Sequence, residues 1–100
     1  MLQTIFGVTV PLTTFPLAAE TAQALADRIT AAAVAVRDGT PAAYAAEVRR
    51  DAERYLAARR RHELRLSPAL ERTCDDGARS LMRLTVSTPP LPRRSERLVA

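Results

Sequence analysis

The chain predicts a mostly α-helical protein: one N-terminal β-strand, three amphipathic helices over about 15–38, 41–66 and 68–85, and a disordered C-terminal tail. Three observations carry this. Apolar residues recur at helical spacing through most of the chain, Thr-Pro and Ser-Pro steps punctuate it, and period-two alternation opens it.

In LQTIFGVTV, residues 2–10, Leu2, Thr4, Phe6, Val8 and Val10 share one face of a strand while Gln3, Ile5, Gly7 and Thr9 take the other. Pro11 ends it. Thr14, ahead of Phe15-Pro16, can cap the first helix, because a proline in the first turn gives up no needed donor. Along that helix Ala18, Ala22, Leu25, Ile29, Ala32 or Ala33, and Val36 form an apolar stripe, and Gly39 stops it. Thr40-Pro41 starts the second helix, whose apolar side holds Tyr44, Ala45, Val48, Ala52, Tyr55 and Leu56. Ser67-Pro68 starts the third, with Leu70, Cys74, Gly77, Leu81 and Leu84 on one stripe. A mid-helix glycine costs about 1 kcal/mol relative to alanine, so Gly77 marks a close helix crossing. Residues 1–86 form one domain, and 87–100, rich in proline and arginine without periodicity, form the tail.

The core is thin. Of the hydrophobic residues 19 are alanine and only four are aromatic, so little apolar area is available per residue buried. A lone strand cannot satisfy its own backbone donors and acceptors. Both features predict a dimer, with Leu2, Phe6, Val8 and Val10 on the strand that pairs across a two-fold axis.

The net charge of +4 rests on 15 arginines and no lysine, which with the alanine content suggests a GC-rich bacterial coding sequence. It is uneven: residues 49–66 carry seven arginines against three acids, whereas residues 1–48 carry two against four. The single Cys74 excludes a disulfide framework and fits a reducing compartment. The apolar start lacks a basic leader, and no run approaches the roughly 20 apolar residues a spanning helix needs. A cytoplasmic protein without membrane contact is therefore expected.

At about 100° per residue, a helix over 41–66 places Arg50, Arg54, Arg61 and Arg65 within about 60° of one another, opposite the apolar side. Arg59 and His62 break the apolar stripe, falling at the azimuth of Val48 and Tyr55. A buried unpaired arginine is costly, so this segment is expected to project, snorkel or pair across an interface. Arg50, Arg54, Arg59, Arg61, His62 and Arg65 are thus the candidate residues for a partner or nucleic acid. His62 lacks a His or Cys partner at ligand spacing, so no metal or cofactor is expected. Cys74 lies on an apolar stripe, where an inert thiol is the default, and no glycine-rich phosphate loop occurs. Pro89, Pro92 and Arg94 match a short polyproline-ligand pattern, for which a solvated tail is the simpler account. No enzyme is expected.

The strand, first helix, turn and DGTPAAYAAEVRRDAERYL, covering residues 2 to about 58, resemble ribbon-helix-helix DNA-binding proteins. That resemblance implies a dimer whose paired strands read the major groove, with Gln3 and Thr9 facing bases and Thr40 near phosphate. The first helix is longer than in that family, and the Gln3 face carries no charge. A compact helix-turn-helix over Ala35 to Gly39 fails because Asp38 occupies a position expected to be apolar. Two functions follow. The first is a small helical interaction or assembly protein, a homodimer or subunit of a larger complex; the second is a dimeric nucleic-acid-binding regulator that uses the arginine stripe.

Overall fold

A computed structural model describes residues 2–87, with side chains through Thr85; the predicted tail and its polyproline pattern lie outside the described residues. The chain is mostly helical, with two short strands, β1 (Leu2–Ile5) and β2 (Val8–Pro11), and three helices, α1 (Ala19–Asp38), α2 (Ala42–Arg60) and α3 (Pro68–Ser87).

The expected single strand is a hairpin. β1 pairs antiparallel with β2, placing Leu2 opposite Pro11 and Ile5 opposite Val8. Between them Phe6 and Gly7 hold φ of 54° and 79°, the left-handed pair that a two-residue type I′ turn requires. A bulky residue there is strained, and burial offsets the strain: the Phe6 ring lies in the core. The turn also reverses the expected faces. Gln3, Ile5, Val8 and Val10 lie on the inner side, and Leu2, Thr4, Thr9 and Pro11 are exposed. Continuous alternation through Phe6-Gly7 assigns β1 to the wrong face, because the turn folds the chain back on itself. The strand's mate is therefore in its own chain, and the backbone argument for pairing with a second copy falls away.

α1 begins four residues later than expected. Phe15-Pro16 is not helical: the chain bends through residues 13–15 and forms a bridge at Pro16, as the steric conflict between a proline ring and a helical preceding residue favours. This stretch forms a strap that runs beside residues 63–65. The Thr13 N–H donates to the Glu63 carbonyl and the Leu17 N–H to the Arg65 carbonyl, each at 2.8 Å, and Pro16 forms a parallel bridge with Arg65. Pro41, not Thr40, flanks the start of α2, with no side-chain cap. α3 starts at Pro68 with the Glu71 N–H on the Ser67 carbonyl, as the Ser-Pro step predicts.

α3 packs between α1 and α2 while the hairpin rests on both outer helices. The core is one cluster: Ala22, Leu25, Ile29 and Val36 from α1, Val48, Ala52 and Tyr55 from α2, and Cys74, Ala78 and Leu81 from α3, closed by Ile5, Phe6 and Val10. Small residues let the helices approach closely. At the α1–α3 crossing a Cβ on Gly77 would stand 2.6 Å from Ile29 Cγ2, so the expected close crossing is present. Gly77→Ala is expected to destabilise the fold by about 1–2 kcal/mol in urea titration, overpacking outweighing the roughly 1 kcal/mol gain in helix propensity. Pairing it with Ile29→Leu, which removes the clashing methyl, should recover most of the loss.

Candidate functional site

α2 ends at Arg60, six residues short of expectation, and the residues after it explain why. The His62 N–H donates to the Arg59 carbonyl and the Glu63 N–H reaches the Ala58 carbonyl, both at 3.0 Å. With His62 at φ 60°, this is a Schellman cap in which histidine fills the left-handed position usually taken by glycine. Residues 63–66 then alternate, with Leu64 and Leu66 buried and Arg65 exposed. That period-two signal in Glu-Leu-Arg-Leu is visible in the sequence and marks the extended segment that receives the strap.

The cap separates the arginines. Arg50 and Arg54 stay on α2, whereas Arg61 and Arg65 lie on the connector, so the four do not form one helical row. Arg54 pairs with Asp51 at 3.3 Å and Arg61 with Glu63 at 3.6 Å. Arg59 does none of the three things expected of it. Its guanidinium points into a polar network with α3. Nε and Nη2 donate to the two oxygens of Asp75 at 3.1 and 3.3 Å, and Nη1 donates to Glu71 Oε2 at 3.2 Å and to the Leu64 carbonyl at 3.0 Å. The Tyr55 hydroxyl donates to Asp75 Oδ1 at 2.6 Å, and the Leu66 N–H donates to Glu71 Oε2 at 3.1 Å. By spacing alone Asp75 reads as part of a polar helix flank with Asp76, and Glu71 carries no role; the signal for both is an arginine at a core azimuth facing two acids four residues apart on α3.

The electrostatics follow the geometry. Burial pushes the Asp75 carboxyl up, but hydrogen bonds from Arg59 and Tyr55, reinforced by the Arg59 charge, outweigh it and hold the group below its ordinary range. Burial, then the hydrogen bond to Asp75, drives the Tyr55 hydroxyl well above its ordinary value. The Asp75 hydrogen bond strengthens the hold of Arg59 on its proton against the opposing effect of burial. Burial also pushes the Cys74 thiol up to about 11, which keeps it protonated and unreactive near neutrality. Among the described residues no group of three or more His, Cys, Asp or Glu side chains has metal-holding geometry, and no helix is long and apolar enough to cross a membrane.

The strap, the cap and the connector meet at one end of the bundle, together with the first turns of α1 and α3. Two clefts open there. One, of about 400 Å³, is lined by Pro16, Leu17, Ala22, Leu66 and Leu70, with Arg65 and Glu71 at its polar side; the other, of about 470 Å³, by Thr14, Arg59, His62, Arg65 and Glu71. Phe15 stands beside them, 74% exposed. Gln3 and Thr9 lie far apart in role, one turned inward and the other out, which removes the shared base-facing side that the ribbon-helix-helix resemblance requires. No family model, curated protein or solved structure matches the chain.

His62→Gly is expected to stabilise the protein by about 0.5–1 kcal/mol, the relief of left-handed strain exceeding the entropy glycine adds to the unfolded chain; thermal unfolding reads it. Asp75→Asn should cost about 2 kcal/mol at neutral pH by weakening the pair with Arg59. A carboxyl held below its unfolded value stabilises the fold above that value, near 3.8, and loses this as the pH falls through the folded one. The stability gap between the natural protein and Asp75→Asn should therefore narrow in urea titrations below about pH 4.

Proposed function

We propose that this protein is a small, non-catalytic interaction module that docks onto another protein through the end of the bundle where strap and connector meet. Exposed Phe15 carries this reading. It is the most exposed large apolar side chain among the described residues, yet its backbone is held on both sides, by Thr13 on Glu63 and Leu17 on Arg65. The Phe15 N–H turns back onto Thr13 Oγ1 at 3.4 Å, bending the strap outward at that point. A ring presented on a fixed backbone loses little freedom when a partner covers it, and burying it is worth about 1.5–3 kcal/mol. The neighbouring apolar cleft extends the surface. Aromatic anchors beside pockets dominate binding energy in protein interfaces.

The titratable groups in close contact, Tyr55, Arg59, Glu71 and Asp75, hold one another and the backbone, which favours a binding role over a catalytic one. The nucleic-acid reading loses its main support because the arginines do not lie along one helix face. Photocrosslinking tests the proposal: p-benzoylphenylalanine at position 15, in the host cell, should give a discrete protein adduct, and at Val34, exposed on α1, should not. An adduct of twice the chain mass identifies self-association. A nuclease-sensitive adduct, or equal labelling from both positions, overturns the reading.

A further inference from the structure

Resting on that reading, we infer that the partner presents an acidic segment with at least one bulky apolar residue. The charge at this end is sorted by direction. Its two best-placed acids, Glu71 and Asp75, are engaged by the part-buried Arg59, and Glu71, which lines both clefts, also accepts the Leu66 N–H. Arg60, Arg61, His62 and Arg65 are all exposed. Among the described residues no ion pair reaches Arg60 or Arg65, and the Arg65 guanidinium meets only the Thr14 carbonyl, at 3.4 Å. Besides Glu71, which Arg59 holds, the acid on this rim is Glu63, which engages Arg61 at 3.6 Å with both side chains largely in water, a contact of little strength.

Helix ends add to the same sign. The first residues of α1 and α3, Ala19 and Pro68, both line the apolar cleft, and no side chain caps α1. Glu20 and Glu71 already stand in these first turns and Pro68 has no N–H to offer, so what remains is the uncapped start of α1, whose free N–H groups favour a carboxylate. A cationic rim around an apolar cleft and a fixed Phe15 therefore fits carboxylates that flank an aliphatic or aromatic anchor. A second copy docked face to face would set arginine against arginine. A nucleic-acid backbone would meet the cations but leave Phe15 and the Leu17–Leu66–Leu70 cleft in water.

The test is an array of 12-residue peptides in which acidic and apolar content vary independently, with hits measured by fluorescence anisotropy against the full chain. Binding should require both features, and replacing Glu and Asp in a hit by Gln and Asn should abolish it. Arg60→Glu with Arg61→Glu, neither of which bonds another element, should weaken a hit at least tenfold, and Phe15→Ser should do the same with the arginines intact. Circular dichroism confirms that each variant is folded. Equal binding of the amidated peptides, unchanged binding to the Glu variant, or duplex DNA binding as tightly as the best peptide overturns the inference. An adduct from position 15 without any acidic-peptide binding leaves the docking surface standing and refutes its partner chemistry; loss of both refutes the two together.

Discussion

A part-buried cation at the margin of a small helical core organises the rest of this molecule. Arg59 lies at the azimuth where α2 should present an apolar residue, and an unpaired guanidinium there would be prohibitive. The compensation is specific: a bidentate contact with Asp75, a second carboxylate in Glu71, and a backbone carbonyl from Leu64. Bidentate geometry fixes orientation as well as charge, so the network sets how α2 lies on α3 and where the chain goes after α2 ends. A pair of apolar residues could match its stability. It could not bond the Leu64 carbonyl or take the Leu66 N–H, and so could not set the course of the connector.

That course closes the fold. With His62 capping α2 and Leu64 and Leu66 sealed inside, the connector offers its backbone edge to the strap, and residues 13–17 find partners there that a helical start would have denied them. The hairpin solves the same accounting problem at the N-terminus by pairing the chain with itself. In a core rich in alanine, approach distance substitutes for side-chain bulk, most clearly where Gly77 meets Ile29. Dispersion between closely packed atoms replaces part of the apolar area that larger side chains would bury.

How much of this the sequence reveals depends on whether the signal is local. The α1 stripe through Ala22, Leu25, Ile29 and Val36, the Ser67-Pro68 boundary and the Gly77 crossing follow from spacing alone, and each is present. The hairpin escapes because Phe6 at a left-handed position defies the turn preference for Asn or Gly; only tertiary burial of its ring permits it. The α2 boundary escapes for the same reason, a histidine standing where glycine is usual. The Arg59 network is legible only in half: the broken stripe flags the residue, but its acids lie 12 and 16 positions on, beyond any helical spacing rule. Phe15 as a surface feature is invisible to periodicity, since a helix start and a strap use the same Phe-Pro step.

The structural and surface features of this end are one arrangement. Turning Glu71 and Asp75 onto Arg59 stabilises that cation, and the same act leaves neither acid paired with Arg60, Arg61 or Arg65. Fixing the Leu64 carbonyl aligns residues 63–65, and that alignment is what pins the strap and holds Phe15 out in solvent. Exposed apolar area is normally minimised in a small monomer, and nothing in the packing of the core requires the Phe15 ring to stand outside it. A part-buried polar network thus stands beside an exposed aromatic ring whose backbone is held on both sides, and beside a rim where, among the described residues, Arg60 and Arg65 have no ion pair.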